Sequence, residues 1–361
     1  MNKCVIVGGG VIGLLTAREL IQAGLEVILF DKSEAARESS WAGGGILSPL
    51  YPWRQPEPIT ALVRLSQHAY PLLAETLRQA TGMDPEWLPS GMLFFDLEDL
   101  EAAQVWLSSE QRSSEMLLPS DVSRRFPHLG ATSQPALWLP SIAQIRPPRL
   151  AQALKPHVQQ LGVEMHENTP VQLILEDHGR VVGVELDRGR VEADCVVVAA
   201  GAWSRDLLQP FSPAVNVLPV RGQIIAFQTD GRLLSTMVLE RGLYLIPRRD
   251  GLILAGSTVE HVGFDKHTTD EGARLLTEAA RRLLPALNDY AVTFHWAGLR
   301  PGTDRGAPYI CAHPEIRGLY LNTGHFRNGL TLAPASAQLL ANLILEQEPV
   351  VDPTPYQFEK K

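Results

Sequence analysis

Gly8-Gly9-Gly10-Val11-Ile12-Gly13 fits the pattern G-x-G-x-x-G. A lone match is weak, but this one follows the apolar run Cys4–Val7 and opens a stretch with Leu14, Ala17 and Ile21 at helical spacing. Asp31 stands 18 residues after Gly13, at the end of a second apolar run. In that setting a glycine turn cradles the diphosphate of a dinucleotide. Gly8 permits a tight turn, Gly10 lets backbone approach the diphosphate, and Gly13 lets a helix pack on the strand. The helix N-terminus favours negative charge, and the Asp31 carboxylate can accept hydrogen bonds from ribose hydroxyls. A second candidate is a cation without a partner. Arg300, in HWAGLRPGTDRGAPYI, follows an apolar run and precedes Pro301-Gly302, which reads as the turn that ends the strand. Asp304 and Arg305 lie beyond that turn. A guanidinium grips a carboxylate through two parallel hydrogen bonds. Arg300 therefore either pairs with an internal carboxylate or holds the carboxylate of a bound molecule.

These residues need a scaffold, and the chain is long enough to supply one. Its 361 residues suit about two domains. A hydrophobic fraction of 45% and a charged fraction of 20% are those of an ordinary globular protein. The net charge of −8 argues against nucleic acid or an anionic membrane surface as partner. Cys4, Cys195 and Cys311 are scattered, with no CxxC, so neither a disulfide framework nor a metal site is expected, and a cytoplasmic location is. Glycines interrupt the first apolar run at once, unlike a signal peptide, and no run reaches the length of a membrane span.

The element order follows from periodicity and turn residues. CVIVGGGVIGLLTARELIQAGLEVILFDK reads as strand, turn, helix, strand. A helix is expected to place Leu62, Leu65, Ala69, Leu72 and Leu73 on one face, with a kink at Pro71. Strand residues are expected in Gly91–Leu97, and helices over Glu98–Ser109 and Pro147–Leu161. Turns at Asp177-His178-Gly179 and Asp187-Arg188-Gly189 give a β-meander ending in the strand Cys195–Ala199. Further strands flank Asp250-Gly251, a helix covers Thr269–Leu287, and a terminal helix covers Leu330–Leu345. Parallel βαβ pieces at both ends with antiparallel strands between them predict a mixed α/β protein. The expected form is a Rossmann-like, discontinuous nucleotide domain (1–84, 142–216 and 307–361) with an inserted β-rich antiparallel domain (85–141 and 217–306) for substrate.

VVVAAGAWS, an apolar strand ending in Ala-Ala-Gly, resembles the distal motif of FAD-dependent oxidoreductases. No second G-x-G-x-x-G is present for a nicotinamide nucleotide. One non-covalent FAD reduced by a small substrate is the reading. SSWAGGGIL, LPVRGQ, WAGLRPGTDRGAPYI and GHFRNGLTLAP, in this order, resemble the D-amino acid oxidase/sarcosine oxidase family over nearly the whole chain. Within it they resemble the glycine oxidase branch linked to thiamine biosynthesis. The resemblance implies FAD contacts at Val11, Ile12, Asp31, Lys32, Ser39, Ser40, Gly44, Gly45, Ile46 and Val171. It adds Gly201, His325, Phe326, Arg327, Asn328, Gly329, Leu330 and Thr331, beside Gly8, Gly10 and Gly13 of the turn. It places the carboxylate-binding arginine at Arg300, an active-site tyrosine at Tyr244 and a second arginine at Arg327. Two positions depart from the pattern of that branch: a pocket methionine stands as Val259 here, and an acidic loop residue as Pro52.

The implied reaction is oxidative deamination of glycine, sarcosine or a small D-amino acid. A hydride passes from Cα to flavin N5, and O2 is reduced to H2O2. In the glycine oxidase branch the imine feeds thiazole formation. No general base is required if the amine binds neutral. The alternatives are a dehydrogenase passing electrons to a quinone or protein, and a flavin-binding subunit without chemistry. A homo-oligomer is expected from the family, and Cys311 does not stand in a covalent-flavin attachment pattern.

Overall fold

The computed structural model describes residues 2–211 and 215–358. The chain opens with β1 (Lys3–Val7), α1 (Val11–Gln22), β2 (Glu26–Phe30), the one-turn α2 (Ser39–Ala42) and the long α3 (Glu57–Thr81). Next come β3 (Met92–Phe94), α4 (Leu100–Ser109), β4 (Glu115–Leu117), α5 (Pro119–Arg125) and β5 (Ala136–Leu139). Then α6 (Pro147–Gln160) leads to β6 (Glu164–His166), β7 (Val171–Asp177), β8 (Arg180–Leu186), β9 (Gly189–Glu192), β10 (Cys195–Val198) and α7 (Ser204–Leu208). The following stretch holds β11 (Leu218–Gln228), β12 (Met237–Glu240), β13 (Leu243–Pro247), β14 (Leu252–Gly256), α8 (Asp270–Leu283) and β15 (Val292–Gly302). It closes with β16 (Tyr309–Ala312), β17 (Leu319–Thr323) and α9 (Gly329–Ile344).

A six-stranded, mostly parallel sheet has the order β16-β17-β10-β1-β2-β6. β1 and β10 are covered on both faces, which is why they read as unbroken apolar runs rather than alternating ones. Cys4, Ile6, Cys195 and Val197 face a core built with α1, α3, α6 and α9. Val5, Val7, Val196 and Val198 face the opposite way, toward Ile174, Val181 and Val184 of a three-stranded sheet, β7-β8-β9. An eight-stranded sheet, β15-β11-β14-β13-β12-β3-β5-β4, forms the other half. One of its faces packs against α8 through Leu276 and Ala280. The other carries Ile224, Tyr244 and Leu254 toward Ile46, Tyr51 and Trp53. The protein is thus a mixed α/β fold with a Rossmann-like parallel sheet and a separate antiparallel one. Among the described residues no helix is long and apolar enough to cross a membrane.

Three local expectations change. Pro301-Gly302 is no turn: β15 runs through it, with Pro301 opposite Pro219 and Gly302 opposite Leu218. β15 is an edge strand, where a missing N–H costs no ladder bond. The strand Cys195–Ala199 does not close the meander. β10 leaves β9 and pairs in parallel with β1 and β17. Helix α3 continues through Pro71, and its buried stripe is Ile59, Leu62, Val63, Ser66, Tyr70, Leu73, Ala74 and Leu77. Leu72 points out, 73% exposed, because the stripe drifts with the 3.6-residue period over so long a helix.

Candidate cofactor and substrate site

A cavity of about 620 Å³ lies where the C-terminal ends of β1 and β10 meet the inner face of the eight-stranded sheet. Its near end is made by the glycine turn. Gly8 has φ +111°, and a Cβ there would stand 2.5 Å from the Ala199 carbonyl oxygen. Only glycine fits. A Cβ on Gly13 would stand 1.9 Å from the Gly8 carbonyl oxygen, so Gly13 is needed for packing and does not line the cavity. Gly8, Gly10, Val11 and Ile12 do line it. Ser40 accepts a hydrogen bond from the Val11 N–H at 2.9 Å, which leaves its own proton to donate. Ser39 donates to the Leu299 carbonyl at 2.7 Å and so ties α2 to β15.

Asp31 accepts from the N–H groups of Gly9 (2.7 Å) and Ser33 (2.9 Å). Burial raises its pKa above the ordinary carboxylate range, although those bonds and Lys32 pull the other way. The Lys32 ammonium lies 3.1 Å from the centre of the Trp203 ring. Gly201, Val171 and Trp203 complete this end.

The middle of the cavity is the turn Gly44-Gly45-Ile46. Gly45 adopts φ +79°, and its carbonyl accepts from the Ile145 N–H at 2.8 Å. The Gly44 carbonyl accepts from buried Arg248, which also donates to the Gln144 side chain (2.7 Å) and the Ile145 carbonyl (3.1 Å). Burial pushes that guanidinium down to about 10. Below the turn, α9 begins at Gly329 with no acidic residue in its first turn and no side-chain cap, and Gly329 and Leu330 of that turn line the cavity. His325, Phe326, Arg327 and Asn328 line the same side. His325 is buried with Nε2 at 3.1 Å from the Ser336 hydroxyl, and burial drives its pKa down to about 3. Thr331 lies outside the wall. Its hydroxyl donates to the Ile46 carbonyl at 3.1 Å.

At the far end stands Arg300. It donates to the Ser257 hydroxyl (2.7 Å) and to the carbonyls of Thr258 (3.1 Å) and Arg221 (3.3 Å). Among the described residues it makes no ion pair. Burial lowers its pKa to about 10, the like charge of Arg327 adds to this, and Tyr244 and Glu260 oppose it. It remains a cation at neutral pH. A Cβ on Gly222 would stand 2.1 Å from the guanidinium, so a glycine on β11 makes the space for it. Tyr244 is 6% exposed, clasped between Gly44 and Gly256, whose added Cβ atoms would meet its hydroxyl at 3.0 and 2.8 Å. Arg327 opens onto the cavity, yet the surrounding walls desolvate it and lower its pKa. Arg300, Tyr244 and Arg327, from three separate parts of the chain, thus border one space.

Neither of the two positions that depart from the branch's pattern borders it. Val259 is 45% exposed and points away, because the chain after Ser257 is drawn outward by Arg221, which donates to the Glu260 and Asp265 carboxylates. Pro52 is buried behind the wall, and its neighbours Tyr51 and Arg54 line the cavity instead. Cys311 sits in the core behind the sheet with its thiol pushed up to about 12 by burial. Ser257, Gly222, Arg248 and Trp203 join the wall beyond the expected site residues. Gly222 lies within LPVRGQ and Trp203 within VVVAAGAWS, whereas spacing marks neither Ser257 nor Arg248.

The walls fit a dinucleotide flavin: a turn closed to any Cβ, an unspent Ser40 proton, a half-buried acid after the second strand, and a helix N-terminus without acidic residues. Comparisons with known proteins agree. The FAD dependent oxidoreductase (DAO) family matches residues 3–343. The chain is 49% identical to a glycine oxidase of Pseudomonas aeruginosa over 98% of each chain. It is 35% identical to the bifunctional protein ThiO/ThiG of a Synechocystis species, over 96% of this chain and 52% of that one. The crystal structure of glycine oxidase from Geobacillus kaustophilus superposes with a TM-score of 0.94, at 28% identity, over 100% of both chains.

Proposed function

The chain belongs to the FAD dependent oxidoreductase family, and from that premise we propose that its substrate is glycine, with sarcosine and small D-amino acids as further substrates, and that O2 is the electron acceptor, giving H2O2. The enzyme is an FAD-dependent amino acid oxidase. FAD, when bound, supplies the acceptor for the hydride leaving Cα. The observation that carries the substrate assignment is Arg300: a half-buried, desolvated cation, paired with no carboxylate among the described residues, in the same cavity as the glycine turn.

The chain's own part is binding and orientation. Arg300 grips the substrate carboxylate and Tyr244 supplies a hydroxyl to it, which aims Cα back toward the glycine-turn side. Ile46, Leu50 and Ile224 make an apolar wall that excludes water and leaves room for a small side chain. One methylene in such a pocket changes specificity by only about 1–3 kcal/mol, which supports a range of small amines. The free N–H groups of α9 and Arg327 put positive charge beside the place where negative charge must be held. No side chain is assigned as general base.

In this reading 1–84, 142–216 and 307–361 hold the cofactor, and 85–141 and 217–306 hold the substrate. The supporting observation is that every strand of the six-stranded sheet falls in the first set and every strand of the eight-stranded sheet in the second. We also assign the enzyme to the cytoplasm as a homo-oligomer, its imine product consumed in the thiazole step of thiamine synthesis. The fused ThiO/ThiG relative supports that last step. The test is a substrate panel on the purified yellow protein. Glycine should bleach it anaerobically and yield one peroxide per amine in air. Bleaching without peroxide would favour a dehydrogenase, and no bleaching with any amine would sink the assignment.

A further inference from the structure

We propose that Ser257 is a substrate-binding residue, donating a hydrogen bond to the same carboxylate that Arg300 holds. The proposal rests on the reading of Arg300 as the carboxylate site. Ser257 follows β14, is 6% exposed and lines the cavity. Its oxygen accepts from Arg300 Nη2 at 2.7 Å. That contact uses a lone pair and leaves the hydroxyl proton, for which no acceptor stands among the described residues. A buried donor left unpaired is costly, so the site is built to receive an acceptor there. Neighbouring geometry says where that acceptor lies. Arg300 Nη1 is spent on the Thr258 and Arg221 carbonyls. The rest of its fork, the Ser257 hydroxyl and Tyr244, whose hydroxyl leaves no room for a Cβ on Gly256, border the same cavity, and Tyr244 lies close enough to act on the Arg300 charge. A hydroxyl that accepts from a cation is polarised into a stronger donor, and the acceptor that matches three converging donors is a carboxylate.

The variants are Ser257→Ala, Ser257→Thr, Ser257→Cys and Arg300→Met, all studied as FAD-loaded enzyme. Ser257→Ala should raise KM for glycine about tenfold, with kcat within about twofold. It should weaken acetate, measured by calorimetry, by a similar factor, while Ser257→Thr keeps most of the affinity. Ser257→Cys should show the same loss if the Ala variant does not retain FAD. In the Arg300→Met background, Ser257→Ala should still lower kcat/KM for glycine about fivefold further. Unchanged KM and acetate affinity in the single variant overturns the proposal. So does the absence of any further loss in the Arg300→Met background, because Ser257 would then act only by steering Arg300. Wild-type glycine and acetate affinity in Arg300→Met alone would overturn the reading of Arg300 itself.

Discussion

At the residue scale, the site is governed by Arg300, a charge with no carboxylate partner among the described residues. Arg300 is half-buried in the cavity wall, and leaving a desolvated cation there with only carbonyl and hydroxyl acceptors is expensive unless a ligand anion completes the set. Arg300→Ala should raise KM for glycine by about a hundredfold or more, and much less for an amine without a carboxylate, in steady-state oxygen-uptake assays. Equal losses would mean that Arg300 is structural. His325 makes a different kind of statement. It is neutral when folded, with a pKa near 3, against about 6.5 unfolded. Between those values the unfolded chain binds the extra proton, so the stability contribution is fully present above about pH 6.5 and is lost as pH falls toward 3. His325→Gln should flatten thermal stability across that window in melting experiments at stepped pH. A slope unchanged from wild type would show another group to be responsible. Arg300 was readable in the sequence as an unpaired cation, because its chain neighbours are visible there. Ser257 was not. Its meaning comes from a guanidinium 43 residues away, and nothing in Gly256-Ser257-Thr258 marks it.

At the element scale, the elements that bring backbone to a ligand were the most legible, since each leaves a glycine signature. The turn before α1 could be read because no Cβ fits at Gly8 or Gly13. The start of α9 could be read from Gly329 and the apolar run after it, and the structure begins the helix at that glycine. A Cβ at Gly329 would meet only the His325 side chain at 3.5 Å, so alanine is accommodated there, whereas a larger side chain must enter the cavity. Gly329→Leu should therefore lower FAD retention through gel filtration or slow anaerobic reduction, while Gly329→Ala leaves both near wild type. Full retention and reduction rate in the leucine variant would remove α9 from the cofactor site. What misled at this scale was proline. Pro301 reads as a stop, but its position on an edge strand takes away the penalty. Edge position is not encoded locally.

At the scale of the whole molecule, the alternation of parallel and antiparallel segments disclosed two sheets. It did not disclose how closely they share a cavity. The contact is made by groups distant in sequence. Arg248 from the eight-stranded side holds the Gly44 carbonyl, Trp296 donates to the Ala42 carbonyl at 3.0 Å, and Ser39 donates to Leu299. These ties connect the segment after β2 to strands more than 200 residues later, and hydrophobic periodicity carries no signal for them. The acidic net charge likewise says little about the site, whose wall carries Arg300, Arg327 and Lys32.

The order of strands in the parallel sheet has a consequence for biosynthesis. β1 emerges first from the ribosome, but its neighbour β10 waits for residue 195, and β17 and α9, which flank β10 and α1, come only in the last fifth of the chain. The antiparallel sheet is complete by Gly302, while the sheet that forms the glycine turn's platform is not. Cofactor capture is therefore a late event of synthesis, and a stalled nascent chain would carry a finished substrate wall facing an apolar, unpaired β10 edge, the species most exposed to aggregation.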